Sequence, residues 1–276
     1  MRCKTVQVAL LCALLCIALL VSTFIQLGQY TVAFATEGMS TFYSTDSDGS
    51  LWYYADSYNT VHDGNSAIVL FDAALILYIG QYYTDGPSTE FGIHRGGLFF
   101  DTSGLPDTAL ITSATLSLKG FGDKSDRDFD ITVVNGSVLD DPLQVTDYGD
   151  LLNQTTSGGS FDTSGFFVSP TDYNDIPLNN IGIGWISKTG MTKFGLRSSF
   201  DIAANAPSGN EYVQVYANEN GPPCVPKLVV TWWRGGVGGE VYPVNKAKLL
   251  APWLALAALT AVSLGTVVVL RRRRAA

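Results

Sequence analysis

The chain has 276 residues, 25 Asp and Glu against 17 Lys and Arg, and a formal net charge of −8. So acidic a protein is a poor partner for nucleic acid and for anionic lipid surfaces. Three of its four cysteines lie within the first 16 residues, leaving Cys224 alone in the rest of the chain and excluding an internal disulfide framework.

Met1 to Lys4 is short and basic, and Val6 to Leu27 is almost wholly apolar and uncharged. That is the pattern of a secretory signal, and Ala33-Phe34-Ala35 fits the small-x-small cleavage rule. Residues 1–35 are therefore read as a signal peptide or, uncleaved, as a signal anchor. At the other end, Ala251 to Leu270 is free of charge and Arg271 to Arg274 follow at once. About twenty apolar residues at helical rise match the roughly 30 Å core of a bilayer. The arginines mark the cytoplasmic side. The expected organisation is a β domain at 36–234 projecting outward, a Gly-rich hinge and stalk at 235–250, a membrane helix at 251–270 and a basic cytoplasmic tail at 271–276. The segment between the two ends holds all 25 acidic residues against 11 basic ones, so it carries near −14. Divalent cations and neutral or cation-bridged glycans suit such a surface.

Within the outer segment, strand patterns are dense and turn residues separate them. Expected strands are Ser40–Ser44, Leu51–Ala55, Ala67–Phe71, Ala74–Ile79, Gly97–Phe100, Leu110–Lys119, Phe129–Val134, Thr192–Ser198, Tyr212–Ala217 and Lys227–Trp233, with one helical turn in Ile181–Ile186. The apolar run Ala67–Ile79 reads as buried strands. Ala114, Leu116 and Leu118 share one face, and Tyr212, Gln214 and Tyr216 another. Phe99 and Phe100 are adjacent and must point to opposite faces. The same holds for His62 with Asp63 and for His94 with Arg95, so neither pair is a ready catalytic dyad. Arg95 is expected to pair with a buried carboxylate. Short strands at this spacing predict an all-β antiparallel sandwich.

Two stretches carry more than composition. Arg95-Gly96-Gly97-Leu98-Phe99-Phe100-Asp101-Thr102-Ser103-Gly104-Leu105-Pro106, running into Ser113-Ala114-Thr115-Leu116-Ser117-Leu118, resembles the hallmark of the DNRLRE domain family. Phe194 to Ser198, Tyr212 to Ala217 and Pro226 to Trp232 look like that family's last three strands. The resemblance spans roughly Tyr78 to Trp233 and implies a jelly-roll module of the kind grouped with carbohydrate-binding modules. The block from Gly239 onward looks like the terminal anchors of archaeal and some bacterial surface proteins.

No Gly-x-Ser-x-Gly elbow, His-Glu-x-x-His or phosphate-cradling loop is present, and a noncatalytic protein is expected. Aromatic rings serve as platforms for the apolar face of a sugar; the candidates are Trp52, Tyr53, Tyr54 and Tyr58, with Tyr82 and Tyr83. Two aspartate groups are candidates for calcium: Asp46 with Asp48, in an Asp-x-Asp-Gly turn, and Asp123, Asp126, Asp128 and Asp130. The expected function is glycan binding or adhesion at a cell surface. The alternatives are a structural envelope or stalk module and, further off, a polysaccharide-degrading enzyme.

Overall fold

The structure is a computed structural model that describes residues 36–234 and scattered positions between 253 and 273. The signal segment, the hinge and most of the proposed membrane run lie outside the described residues. No helix among the described residues is long and apolar enough to cross a membrane. The described positions of the C-terminal unit, among them Trp253, Leu256, Thr260 and Arg271 to Arg273, are helical and exposed.

The unit formed by 36–234 is a sandwich-like antiparallel β structure with few helices. Its strands are β1 (Thr36–Tyr43), β2 (Gly49–Ala55), β3 (Val69–Phe71), β4 (Ile76–Thr84), β5 (Glu90–Asp101), β6 (Ala109–Leu118), β7 (Gly120–Asp123), β8 (Asp130–Asn135), β9 (Gly159–Asp162), β10 (Asn174–Pro177), β11 (Met191–Ser198), β12 (Asn210–Tyr216) and β13 (Lys227–Arg234). Four short helices punctuate them: α1 (Tyr58–His62), α2 (Asp147–Leu152), α3 (Asn180–Gly184) and α4 (Ser199–Ile202). One sheet runs β1-β13-β6-β10, and the other runs β7-β12-β4-β5-β11-β8-β9 with β2 and β3 attached at β5.

Strand β5 organises the larger sheet. It pairs with β2 along Phe91–Gly97, with β4 along Glu90–His94 and with β11 along Gly96–Asp101. Because β2 overlaps both of the others, β4 and β11 must share the opposite edge of β5, and they diverge there like a fork. Arg95 sits at the branch point. Leu77, Ile79, Val213 and Val215 from one branch face Ile131, Val133, Phe194 and Leu196 from the other. The smaller sheet closes the fork with Ala114, Leu116, Leu118, Leu228 and Val230. A second core lies behind β5, where Leu51, Ile93, Phe99, Leu139, Leu143 and Tyr148 pack. Phe100 belongs to the first core and Phe99 to the second, as alternation requires. Each such side chain, once fully buried, contributes about 1.5–3 kcal/mol.

The branch point is held by ions. Arg95 donates through Nε and Nη2 to the two carboxylate oxygens of Asp201, at 2.9 and 2.7 Å. Arg197 donates to the same carboxylate from Nε at 2.7 Å. All three side chains are almost fully buried. The remaining guanidinium protons go to the backbone carbonyls of His62, Tyr148, Leu151, Leu152 and Gln154, and Arg95 lies 4.1 Å over the Tyr148 ring. The two guanidinium groups hold the Asp201 carboxyl well below the usual range against the opposing effect of burial. This is the buried carboxylate expected for Arg95. It is contributed by α4, 106 residues away.

Elements depart from the sequence reading in several places, and His62, expected to face away from Asp63 on a strand, instead ends α1 with its Nδ1 2.6 Å from the Asp63 carboxylate. Strand β5 begins at Glu90 rather than Gly97, because Gly92, His94 and Gly96 read locally as loop yet are paired on both edges, and Arg95 between them is paired with Leu51 of β2. Strands β7, β9 and β10 were not expected: each is four residues long and rich in Gly, Asp or Pro, and each exists through pairing to β12, β8 or β6. The run Ala67–Ile79 is not buried throughout. It is split by a bend at Asp72–Ala73, and Ile68 and Leu75 are 50% and 57% exposed.

Candidate functional site: an aromatic sheet face

Alternation along β2 puts Trp52 and Tyr54 on one face, and the sheet register extends that face across four more strands. One row runs Val69, Trp52, His94, Gly80, Tyr212 through β3, β2, β5, β4 and β12. The next row on the same face runs Tyr54, Gly92, Tyr82, Asn210. Phe71 and Tyr78 complete the set. None of Trp52, Tyr54, Phe71, Tyr78, Tyr82, His94 or Tyr212 belongs to either core. Tyr82 and His94 are buried beneath the surface, and the other five rings are half-buried.

The rings form a continuous band. Trp52 stacks on His94 at 5.4 Å and 23° and on Phe71 at 6.2 Å and 21°. Tyr78 stacks on His94 at 5.1 Å and 28°. Tyr54 lies 4.7 Å from Trp52, and Tyr212 lies 5.7 Å from His94. Two glycines make the packing feasible. A Cβ on Gly92 would come within 2.0 Å of the Tyr82 ring, so glycine is what lets that ring lie across the strand. Gly80 has φ of +131°, a left-handed conformation, and a Cβ there would meet the Glu211 carbonyl at 2.2 Å.

The polar groups of the face are few. Tyr82 Oη donates to Glu90 Oε1 at 2.6 Å. Burial, with Glu90 beside it, raises the Tyr82 phenol well above its ordinary value. Burial pulls His94 down to about 3, so its imidazole is neutral and packs as an aromatic ring. Trp52 Nε1 and His94 Nδ1 are buried without a hydrogen-bond partner among the described residues. Leaving a buried polar atom unpaired costs about 1–3 kcal/mol. Chemically the face offers flat apolar surface with a carboxylate at its rim, suited to stacking rather than to proton transfer.

Of the six aromatic residues singled out from sequence, the structure brings together Trp52, Tyr54 and Tyr82. It places Tyr53, Tyr58 and Tyr83 on the opposite side of the sheet. Tyr53 meets Tyr148 edge-on at 5.7 Å, Tyr58 lies 5.6 Å from His62, and Tyr83 lies 4.9 Å from Phe91. These three fill space over the second core and are not part of the band. Phe71, Tyr78, His94 and Tyr212 were missed. The period-2 pattern of Tyr212, Gln214 and Tyr216 was the one usable signal.

The aspartates also separate. Asp123 accepts hydrogen bonds from the backbone N–H (2.9 Å) and hydroxyl of Ser125, and Asp126 accepts from the Asn210 N–H at 2.9 Å. Asp128 and Asp130 are exposed. Arg127, beside them in sequence, turns instead to Glu211 at 3.0 Å and covers the Phe200 ring. Asp46 is exposed while Asp48 is buried. Among the described residues no three His, Cys, Asp or Glu side chains converge to hold a metal ion. Cys224 is a half-buried free thiol.

A second surface feature lies on the other sheet. A groove of about 450 Å³ is lined by Thr115, Ser117, Asp172, Tyr173, Asp175 and Lys227. There the Lys227 and Lys119 ammonium groups lie 4.0 and 4.7 Å from the centre of the Tyr173 ring.

No known family matches this chain in a family-wide scan, and no curated protein matches it. Among solved structures, a chain of the mud crab tombus-like virus, determined by cryo-electron microscopy, is similar over 80% of this chain and 89% of its own, at 11% identity and a TM-score of 0.30.

Proposed function

We propose that this is a membrane-tethered surface protein whose β-sandwich, of jelly-roll type, binds glycans without catalysis. The observation that carries the reading is the aromatic band of Trp52, Tyr54, Phe71, Tyr78 and Tyr212: half-buried rings outside both cores, with Phe71, Trp52 and Tyr78 stacked in a row through His94, Tyr54 and Tyr212 tilted against it, and Glu90 at the edge. A pyranose has an apolar face that stacks on such rings and hydroxyls that a rim carboxylate accepts. The resemblance of Arg95 to Leu118 to the DNRLRE hallmark supports the same ligand class. The charge-free run before Arg271 supports the tether. Binding at one site is weak, since a few ring–sugar contacts offset little of the cost of association. Many copies on one surface raise the avidity.

Affinity electrophoresis of the purified chain through acidic and neutral polysaccharides, with calcium present, tests the reading. Retention on at least one polysaccharide, reduced in Trp52→Ala, is expected. Unretarded migration in all of them would replace this reading with the structural envelope module.

A further inference from the structure

Asp48 and Glu219 are neighbours at a corner of the sandwich, where the β1–β2 turn is hydrogen-bonded through Asp48 to Asn218 of the 3-10 turn Asn218–Asn220 that follows β12, and the Glu219 charge acts on Asp48. Asp48 is 1% exposed. One of its oxygens, Oδ2, accepts from Ser44 Oγ at 2.9 Å and from the Asn218 backbone N–H at 3.2 Å. The other, Oδ1, is buried without a partner among the described residues, and so is Glu219 Oε2. The Asn218 carboxamide, in the orientation that satisfies both its ends, ties the Ser44 carbonyl to the Asp46 N–H at 2.8 and 3.2 Å and so locks the two segments together.

The charges around these oxygens are of one sign. Burial first, then the Glu219 and Asp46 charges, push Asp48 up to about 7, opposed by its two hydrogen bonds. Glu219 is raised by burial and by Asp46 and Asp72. The contrast with Asp201, which has two guanidinium groups, is complete. A buried carboxylate oxygen left without a donor is costly unless a cation compensates it.

We propose that this corner is a calcium site in which Asp48 Oδ1 and Glu219 Oε2 are the charged ligands. Calcium takes six to eight oxygens in flexible geometry, so two carboxylates are completed by backbone carbonyls and water. Asp46 and Asp72 strengthen the field without coordinating directly. The site is distinct from the Asp123–Asp130 group, whose carboxylates point into exposed turns. It also stands apart from glycan binding, since neither ligand lies on the aromatic face.

The test is isothermal titration of CaCl2 into the full chain in detergent micelles after removal of divalent ions with EGTA. One saturable site per chain is expected, weakened about tenfold or more in Glu219→Gln and in Asp48→Asn, and unchanged in Asp126→Asn. Circular dichroism in EGTA checks that each variant is folded. Should Asp48→Asn fail that check, Glu219→Gln and the calcium-induced rise in the wild-type Tm decide the matter. Absence of saturable binding at millimolar CaCl2 in the wild type would overturn the proposal, as would wild-type affinity in Glu219→Gln.

Discussion

His94 and Arg95 are consecutive residues of one strand, both buried, and their surroundings are opposite in kind. Arg95 lies in a polar network in which the guanidinium N–H groups meet the Asp201 carboxylate and backbone carbonyls. His94 lies among Trp52, Tyr78, Tyr82 and Tyr212, neutral, with Nδ1 unpaired among the described residues. A buried charge is tolerated where every group it presents is answered, and the Arg95 side has the character of a fold-specifying anchor. The His94 side keeps flat rings together at some cost in unsatisfied polar atoms.

The comparison is broken most severely at Asp201. Asp201→Asn leaves two buried guanidinium groups without a counter-charge, and breaking such a network costs about 3–5 kcal/mol. Against a typical domain stability of about 5–15 kcal/mol, the urea midpoint should fall by a large fraction or folding should fail. An unchanged midpoint would mean that the carbonyls alone hold Arg95 and Arg197.

Asp48 sharpens the contrast, since it is a buried carboxylate without a guanidinium partner. Burial and the nearby Glu219 charge push its pKa in the folded state up to about 7, above the ordinary aspartate value of 3.8, so the folded state binds the proton more tightly. Stability linked to this group is fully present at acid pH and is lost as pH rises from near 4 through 7. The loss amounts to roughly 4 kcal/mol in the absence of divalent cations. Asp201 has the opposite sign: its depressed pKa gives stability present above the unfolded value and lost as pH falls. Urea titrations in EGTA across that pH range, with wild type and Asp48→Asn, check this. The variant should flatten the slope between pH 4 and 7; equal slopes would remove Asp48 as its source.

On the His94 side the expected effects are on binding. Trp52 touches Tyr54, Phe71 and His94 within the band, so Trp52→Ala should weaken polysaccharide retention about tenfold, or roughly 1.4 kcal/mol, while far-UV circular dichroism stays native-like. His94→Phe keeps a ring in the stack and removes the unpaired Nδ1. It should therefore leave the urea midpoint unchanged or slightly raised, and a clear fall would show that the imidazole has a partner.

Much of the sandwich was legible in the sequence because alternation is local. Ala114, Leu116 and Leu118 face the first core together, and Phe99 and Phe100 divide between the two cores. The start of β5 was not legible, because Gly92, His94 and Gly96 carry no strand pattern of their own and are strand only through their neighbours. The candidate site was half legible for the same reason. Trp52 and Tyr54 are two apart, and their common face follows from period 2. Their meeting with Tyr78 and Tyr212 depends on the register of β4 and β12, which no local pattern encodes. Likewise Asp201 and Glu219 are partners supplied from more than a hundred residues away.

The smallest expected effect tests the division of the aromatic residues most directly. Tyr83 follows Tyr82 on β4, and from sequence the two are equivalent candidates. Tyr82 turns to Glu90 and the aromatic band, whereas Tyr83 turns to the other face and packs 4.9 Å from Phe91. Tyr83→Ala should therefore cost some packing over the second core and leave polysaccharide retention at the wild-type value, measured on the same gels as Trp52→Ala. Loss of retention in a folded Tyr83→Ala chain would place the ligand on the Tyr53, Tyr58 and Tyr83 side of the sheet and assign the His94 band to stability instead.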